Sequence, residues 1–157
     1  MSVKAIFFDK DGTLVEHHPR DADPLGMHLC SGAGAALRLL ARLDYRIFIV
    51  GNEAADAVRD RLADLLFREA LSLDGYCGAD KLQSVAREHD LDLTASWVVG
   101  DVLNDVEAGN RAGCKTMLID NGHETVWRLG PHRIPTWVAP DVYSAAVVIA
   151  NEEGSVR

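Results

Sequence analysis

The stretch Phe7-Phe8-Asp9-Lys10-Asp11-Gly12-Thr13-Leu14 decides how this chain is interpreted. An apolar run from Val3 to Phe8, broken only by Lys4, leads directly into two aspartates two residues apart. In an extended segment both carboxylates leave on the same side. They repel each other unless a cation lies between them or one of them keeps its proton. We therefore predict a charged site at the end of a buried first strand. Such a site suits phosphoryl transfer, because a hard divalent cation takes oxygen ligands and an aspartate can act as a covalent nucleophile.

The order Phe8-Asp9-Lys10-Asp11-Gly12-Thr13 resembles the first motif of the haloacid dehalogenase (HAD) superfamily, whose members are mostly phosphatases. A second apolar run, Val98-Val99, ends in Gly100-Asp101 with Asp105 four residues on, and resembles the fourth motif. If the loop winds straight into a helix, the two acids lie about one turn apart on one face. The resemblance implies that Asp101 binds a cation and that Asp105 holds a metal-bound water or orients a neighbour. For Asp105, a helix N-terminal acid favoured by the helix dipole is the other interpretation.

Lys81 is the lysine that best resembles the third motif of the family, because it lies at the predicted start of a helix, between the predicted strands Arg46–Val50 and Trp97–Val99. Phosphoryl transfer needs positive charge on the equatorial oxygens, and the resemblance gives Lys81 that role. The alternative is a solvated lysine in a first helical turn, although the helix dipole slightly disfavours that placement. Lys10 lies between the two aspartates and is expected to face away from them.

The second motif departs from the family pattern. Gly51 stands where these phosphatases carry a serine or threonine, and Asn52 matches the threonine-asparagine pair of the heptose bisphosphate and histidinol phosphate phosphatase branch. We expect Asn52 and backbone N–H groups at the start of the next helix to bind the phosphate. The other interpretation is a turn and helix cap, with catalysis weakened or lost.

The rest of the chain alternates short apolar runs with helical periodicity, a pattern typical of α/β proteins. We predict one domain over residues 1–157, with a doubly wound, Rossmann-like parallel sheet, helices on both faces and no large cap domain. The predicted strands are Val3–Phe8, Arg46–Val50, a short one around Leu71–Cys77, Trp97–Val99 and Thr116–Ile119. Apolar positions predict helices around Ala36–Leu43, Ala55–Leu66, Leu82–Ala86, Asn104–Ala112 and Tyr143–Ala150. The proline-bearing tail before the last helix is predicted to be loop.

The segment Glu16–Leu29 is polar and follows the paired aspartates directly. We expect it to lie over the site as a flap. It contains His17, His18 and His28, and three histidines in a polar loop are usually exposed to solvent.

Composition limits the classes of binding partner and the cellular compartment that are expected for this chain. The chain has 157 residues and a net charge of -8, which disfavours nucleic acid and anionic membranes as partners. Three isolated cysteines, Cys30, Cys77 and Cys114, indicate reduced thiols and a cytoplasmic location. No apolar run approaches the roughly 18 residues that a membrane span needs.

These observations predict a magnesium-dependent phosphatase of a small phosphorylated metabolite, a sugar phosphate according to the branch that the chain resembles. The resemblance implies an aspartyl phosphate on Asp9, with Asp11 as general acid and base. It also implies Mg²⁺ held by Asp9, the main-chain carbonyl of Asp11, and Asp101, with Asp105 nearby. Cys77 alone stands where that branch often has a zinc loop, and Asp80 replaces its arginine, which counts against heptose bisphosphate as substrate.

Two other functions stay open. A non-catalytic HAD-like protein that binds a phosphorylated ligand or a partner is favoured by Gly51. A phosphotransferase or mutase would need its aspartyl phosphate shielded from water, which the absence of a cap disfavours. The resemblance to capless members also leaves homo-oligomerisation open.

Overall fold

The centre of the molecule is a six-stranded sheet in which all pairings are parallel. The computed structural model describes residues 3–17, 22–51, 56–122 and 126–155. The strands are β1 Ala5–Asp9, β2 Arg46–Val50, β3 Gly75–Cys77, β4 Trp97–Gly100, β5 Lys115–Ile119 and β6 Trp137–Ala139. Their order is β3-β2-β1-β4-β5-β6. The order therefore reverses between β1 and β4, the position at which doubly wound sheets bind ligands beyond their carboxyl ends.

Helices cover both faces of this sheet. They are α1 Ala33–Arg42, α2 Asp56–Phe67, α3 Leu82–His89, α4 Leu103–Ala112 and α5 Val142–Ser155. Ile6 and Phe8 of β1 pack in one core with α1, α2 and α5, while Ala5 and Phe7 pack in a second core with α3 and α4. Alternate side chains of β1 thus enter opposite layers, and the doubly wound α/β class is confirmed. No helix in the described ranges is both long enough and apolar enough to cross a membrane.

The structure corrects several predicted boundaries. The tail predicted as loop contains β6, and α5 continues to Ser155 instead of stopping near Ala150. Strand β6 has three residues between Pro135 and Pro140, too few to show a strand pattern. It pairs only with β5 at the margin of the sheet, where proline is tolerated. Strand β1 begins at Ala5, and Val3 forms an isolated bridge with Leu91 instead.

At the amino edge of the sheet, where the strands begin, an ion pair and a hydrogen bond join α5 to the residues that precede β1 and β2. Glu153 of α5 accepts a hydrogen bond from the Tyr45 hydroxyl at 2.6 Å and forms an ion pair with Lys4. The Lys4 ammonium also lies 4.5 Å from the centre of the Tyr45 ring. Burial, and then the carboxylate of Glu153, raises the pKa of Tyr45 above its ordinary value. This network attaches the last helix to the starts of β1 and β2.

Candidate active site

Three carboxylates converge at the carboxyl edge of the sheet, where the strands end. Asp9 ends β1, Asp101 follows β4 directly, and Asp105 lies in the first turn of α4. Since β1 and β4 are neighbouring parallel strands, with Phe8 opposite Val99, both ends reach the same place. Side-chain oxygens of the three residues all lie within 4.8 Å of one another. The sequence motifs around Asp9 and Asp101 therefore meet in space.

This carboxylate cluster, Asp9 with Asp101 and Asp105, is electrostatically costly without a cation. Burial raises the pKa of Asp9 from 3.8 to about 9, helped by the charge of Asp105 and by a hydrogen bond with Asp101. The nearby charges of Asp101 and Asp11 act in the same direction. A divalent cation placed among these oxygens removes the repulsion, since opposite charge favours the ionised form.

The donor set fits a hard cation such as Mg²⁺. All three ligand candidates offer carboxylate oxygen, which Mg²⁺ and Ca²⁺ prefer. Zinc sites are built mainly from cysteine and histidine, and the group found among the described residues contains neither. Asp101 is 2% exposed, so one of these candidate ligands lies in the protein interior.

The side chain of Asp11 lies outside this cluster and meets Lys10 instead. The Lys10 ammonium lies 2.6 Å from an Asp11 carboxylate oxygen, and the Asp11 side chain is 44% exposed. The expectation that Lys10 faces away from both aspartates is therefore wrong for Asp11. The backbone curls through the glycine turn here, with the N–H groups of Leu14 and Val15 both donating to the Lys10 carbonyl. That curl ends the extended geometry which would have kept the two aspartates on one side.

Gly12 lets this turn approach the cluster closely. Its φ is +81°, a conformation that favours glycine, and a Cβ there would lie 2.2 Å from an Asp101 oxygen. Asn121, which follows β5, donates to the Gly12 carbonyl at 2.7 Å and holds the turn from the other side. This role of Asn121 was not predicted from the sequence. The signal was an asparagine two residues after the end of an interior strand.

Lys81 lies on the correct edge but makes no contact with the carboxylate cluster. It is the residue before α3, a few residues after β3 ends, and its side chain is exposed. Its backbone N–H donates to the Gly78 carbonyl at 2.9 Å. Within the described part of the chain, the Lys81 ammonium forms no ion pair or hydrogen bond. Its role at a phosphate stays a prediction.

Of the residues in the second motif, the structure describes Gly51 but not the residues that directly follow it. Asn52 lies outside the described residues, and α2 is described from Asp56. The Gly51 N–H donates to the Cys77 carbonyl at 2.9 Å, so it is not available for a phosphate. Gly51 has φ +154°, which side-chain-bearing residues rarely adopt, although a Cβ there would meet nothing within 4 Å.

The described parts of the segment Glu16–Leu29 are fixed at both ends. Val15 forms an antiparallel bridge with Leu29, and the Glu16 N–H donates to the His28 carbonyl at 3.0 Å. The Nε2 atom of His17 lies 3.3 Å from Asp101, although half of that side chain is exposed. His28 is exposed as predicted, and His18 lies outside the described residues. Sequence reasoning did not distinguish His17 from its neighbours, because nothing in a polar loop indicates which histidine turns inward.

Comparison with known proteins agrees with this geometry. A family model described as HAD-hydrolase-like matches residues 79–145. The D-glycero-D-manno-heptose-1,7-bisphosphate 7-phosphatase of Chlorobaculum tepidum is 31% identical, with 92% of each chain covered. The corresponding enzyme of Haemophilus ducreyi is 26% identical over 76% of this chain and 84% of its own length.

Solved structures share the fold. The D,D-heptose 1,7-bisphosphate phosphatase of Bordetella bronchiseptica, solved with magnesium and phosphate, has a TM-score of 0.79 and 21% identity. That comparison covers 96% of this chain and 99% of the other. A HAD-like phosphatase structure from Mesorhizobium loti has a TM-score of 0.75 and 22% identity, covering 98% of this chain and 87% of the other.

Proposed function

The chain belongs to the haloacid dehalogenase superfamily and is a phosphatase of that superfamily, and on this premise we propose that it hydrolyses a small sugar phosphate with the help of Mg²⁺. The single observation that carries the proposal is the carboxylate cluster at the carboxyl edge of β1 and β4. Three mutually repelling acids, one of them buried, are stable together when a cation is bound. One sheet unites elements from both halves of the chain, which supports treating residues 1–157 as one hydrolase domain.

Mg²⁺ would be held by the carboxylates of Asp9 and Asp101 and by the main-chain carbonyl of Asp11, with Asp105 orienting this set. When bound, the cation neutralises phosphate oxygens and reduces their repulsion of an attacking carboxylate. Lys81 supplies further positive charge to the phosphoryl group in this proposal. Its exposed side chain can swing towards a substrate that enters from solvent.

Asp9 is the proposed nucleophile. One of its carboxylate oxygens attacks phosphorus in line, a new O–P bond forms, and the bond to the substrate alkoxide breaks. Asp11 gives its proton to the departing alkoxide, and later takes a proton from the water that attacks the aspartyl phosphate. The exposed position of the Asp11 side chain supports this exchange of protons with a leaving group and with water.

Phosphate binding by Asn52 also stays part of the proposal. Because the Gly51 N–H is already engaged, the backbone donors for a phosphate have to come from residues after it. Loss of one charge-assisted hydrogen bond costs about 1.5–3 kcal/mol. Asn52→Ala is therefore expected to lower kcat/KM roughly ten- to a hundredfold.

The test is phosphate release from a panel of sugar and nucleotide phosphates, measured with and without magnesium. We expect release from sugar phosphates that stops with excess chelator and in Asp9→Asn. Folding of the variant is checked by circular dichroism. A folded parent that releases no phosphate from any compound would support the second candidate, a non-catalytic protein that binds a phosphorylated ligand. The observation that favours this second candidate is Gly51, in place of the hydroxyl residue of the family.

A further inference from the structure

The loop that precedes β6 is attached along helix α4. The side-chain amide nitrogen of Asn110, in the last turns of α4, donates to the carbonyls of His132 and Ile134, each at 2.9 Å. These two carbonyls flank Arg133 in the chain. The side-chain oxygen of Asn110 accepts a hydrogen bond from the Thr116 hydroxyl of β5 at 3.1 Å. The backbone on both sides of Arg133 is therefore attached to α4 and, through it, to the sheet.

The side chain of Arg133 extends from this loop to the beginning of the same helix. One guanidinium nitrogen donates to the side-chain oxygens of Asn104 at 3.1 Å and Glu107 at 2.7 Å. Its Nε donates to the Arg128 carbonyl at 2.6 Å. Exposed ion pairs contribute little to stability, but the Arg133 side chain is only 17% exposed. Its three contacts are charge-assisted hydrogen bonds, which are stronger than neutral ones. The guanidinium thus joins the loop to the first turns of α4.

Those first turns carry Asp105, a member of the carboxylate cluster. The two partners of Arg133 lie on either side of Asp105 in the sequence. Asp105 lies on a different face of α4 from them, because successive helical residues are about 100° apart. On its own side, a Cβ placed on Gly100 would lie 2.6 Å from the Cβ of Asp105, so only glycine permits this approach to the end of β4. A small displacement of the first turn therefore changes the distance of Asp105 from Asp9 and Asp101.

The start of α4 has no capping side chain of its own to oppose such a displacement. The N-cap residue is Val102, which has no polar group to accept a hydrogen bond from the free N–H groups of the first turn. Leu103 and Val106 are buried in a cluster of three residues that is separate from the two larger cores. Repulsion among the carboxylates favours moving Asp105 outwards until a cation binds. Because the loop is also attached to the sheet, the contacts of Arg133 resist that movement.

We propose that Arg133 is a positioning residue of the magnesium site. By fixing the first turn of α4 to the loop before β6, it keeps Asp105 beside the cation that Asp9 and Asp101 would hold. The inference rests on the proposed function, in which Asp105 orients the ligand set, and adds a residue that lies outside the four motifs. It also explains why a loop remote from the substrate is tied to both ends of α4.

The first experiment measures the Kd of magnesium alone for the full chain by isothermal titration calorimetry. Arg133→Met is expected to weaken binding about tenfold, the lower end of what residues that orient metal ligands contribute. Arg111→Met is the matched control. Arg111 contacts the other Glu107 oxygen at 3.1 Å and the lost charge is the same, but both residues lie on α4. It therefore attaches α4 to no other element, and its loss should leave the Kd near the parental value. Equal Kd values for parent and Arg133→Met, or equal weakening in the control, overturn the inference.

The second experiment separates positioning from a purely structural role. Phosphate release from p-nitrophenyl phosphate is measured as magnesium is increased. In Arg133→Met the magnesium concentration for half-maximal activity should rise by about the same factor as the Kd, about tenfold. Saturating magnesium should return kcat towards the parental value, because excess cation compensates for a weak site. A purely structural role would lower the melting temperature in chelator and leave the magnesium dependence unchanged. That result, or a kcat that magnesium does not restore, overturns the inference.

Asn104→Ala keeps the test available if Arg133→Met does not fold. Asn104 is exposed, and its replacement removes one contact of Arg133 while the contact with Glu107 stays. The Kd of magnesium is expected to weaken about threefold, as for the loss of one hydrogen bond. An unchanged Kd in folded Asn104→Ala, checked by circular dichroism, overturns the inference.

The proposed function and this inference fail in different ways. If the parent chain binds no magnesium in the calorimeter, the metal dependence in the proposed function fails and the inference fails with it. If the parent binds magnesium and the Arg133 and Asn104 variants bind it equally well, the proposed function stands and only the role of Arg133 is overturned.

Discussion

Charged groups are arranged in opposite ways at the two edges of the same sheet. At the amino edge, Glu153 meets the Lys4 ammonium and the Tyr45 hydroxyl, so opposite or complementary groups are neighbours. At the carboxyl edge, Asp9 and the other carboxylates lie within 4.8 Å of one another, so like charges are neighbours. The first arrangement stabilises the folded chain as it stands. The second is unfavourable until something binds, which is the physical mark of a binding site.

The largest effect is expected at the carboxyl edge. Asp9→Asn should lower phosphatase kcat by roughly a thousandfold or more, because an amide cannot form the acyl phosphate. Without magnesium at neutral pH, the same variant should melt at a higher temperature than the parent, because asparagine is always neutral whereas burial and the neighbouring carboxylates oppose the ionisation of Asp9 in the folded state. Phosphate release and thermal melting in chelator measure the two effects. A variant with parental turnover would remove the covalent mechanism.

Magnesium binding should strengthen with pH at this edge. The pKa of Asp9 is about 9 when folded and 3.8 ordinarily, so the folded state holds this proton more tightly. The stability from that proton is fully present below pH 3.8 and is lost as pH rises through about 9. Because the proton and Mg²⁺ compete for the same carboxylate, the magnesium-induced rise in melting temperature should be larger at pH 8.5 than at pH 6.

That difference is measured by thermal melting with and without magnesium at each pH. Asp9→Asn is the control, and its magnesium response should depend less on pH. A magnesium-induced rise in melting temperature that is the same at both pH values would contradict competition at Asp9.

Calcium should bind the same oxygens but inhibit turnover, because it takes more ligands at longer distances.

The amino edge should affect stability alone. Tyr45→Phe removes the hydrogen bond to the Glu153 carboxylate and should lower the free energy of unfolding by about 2 kcal/mol. We expect kcat/KM to stay at the parental value, because the site lies at the opposite edge. Tyr143→Phe is the matched control, since that tyrosine is exposed on α5. Denaturant unfolding of both variants checks the difference, and a loss of activity in Tyr45→Phe would mean that the edges are coupled.

The smallest effect is expected at Gly51, beside the carboxylate cluster but outside it. Gly51→Ala should destabilise the protein by about 1 kcal/mol, because φ +154° is unfavourable for alanine even with open space around it. Gly130→Ala, at a position with ordinary φ and ordinary contacts, should be near neutral. Equal stability of the two variants would show that the backbone relaxes at Gly51. The strain also means that Gly51→Thr can lose stability whether or not its hydroxyl helps to bind phosphate.

Particular residues show how far the sequence could predict this molecule. The alternation of apolar runs placed β2 correctly at Arg46–Val50, because a buried central strand has a strong local pattern. The convergence of Asp9 with Asp101 followed from a rule of topology, the shared carboxyl edge of parallel strands. Both predictions needed only local pattern plus strand order.

What the sequence missed depends on contacts between distant or irregular segments. The contact of His17 with Asp101 joins residues 84 positions apart, and it depends on how a loop folds back. The contact between Lys10 and Asp11 depends on the curl of the glycine turn, which overrides the alternation of an extended strand. Strand β6 is defined by its neighbour β5, because three residues carry too little pattern of their own.

The strand order also determines when the carboxylate cluster can form during biosynthesis. Strand β1 is central in the sheet, yet one of its two partners, β4, begins at Trp97, late in the chain. At roughly 5–20 residues per second, the ribosome leaves one side of β1 without its partner for about 5–20 seconds. Asp9 cannot meet Asp101 before then. The carboxylate cluster of a nascent chain therefore cannot assemble until most of the chain has been made, so premature termination products carry Asp9 without Asp101 and Asp105 beside it.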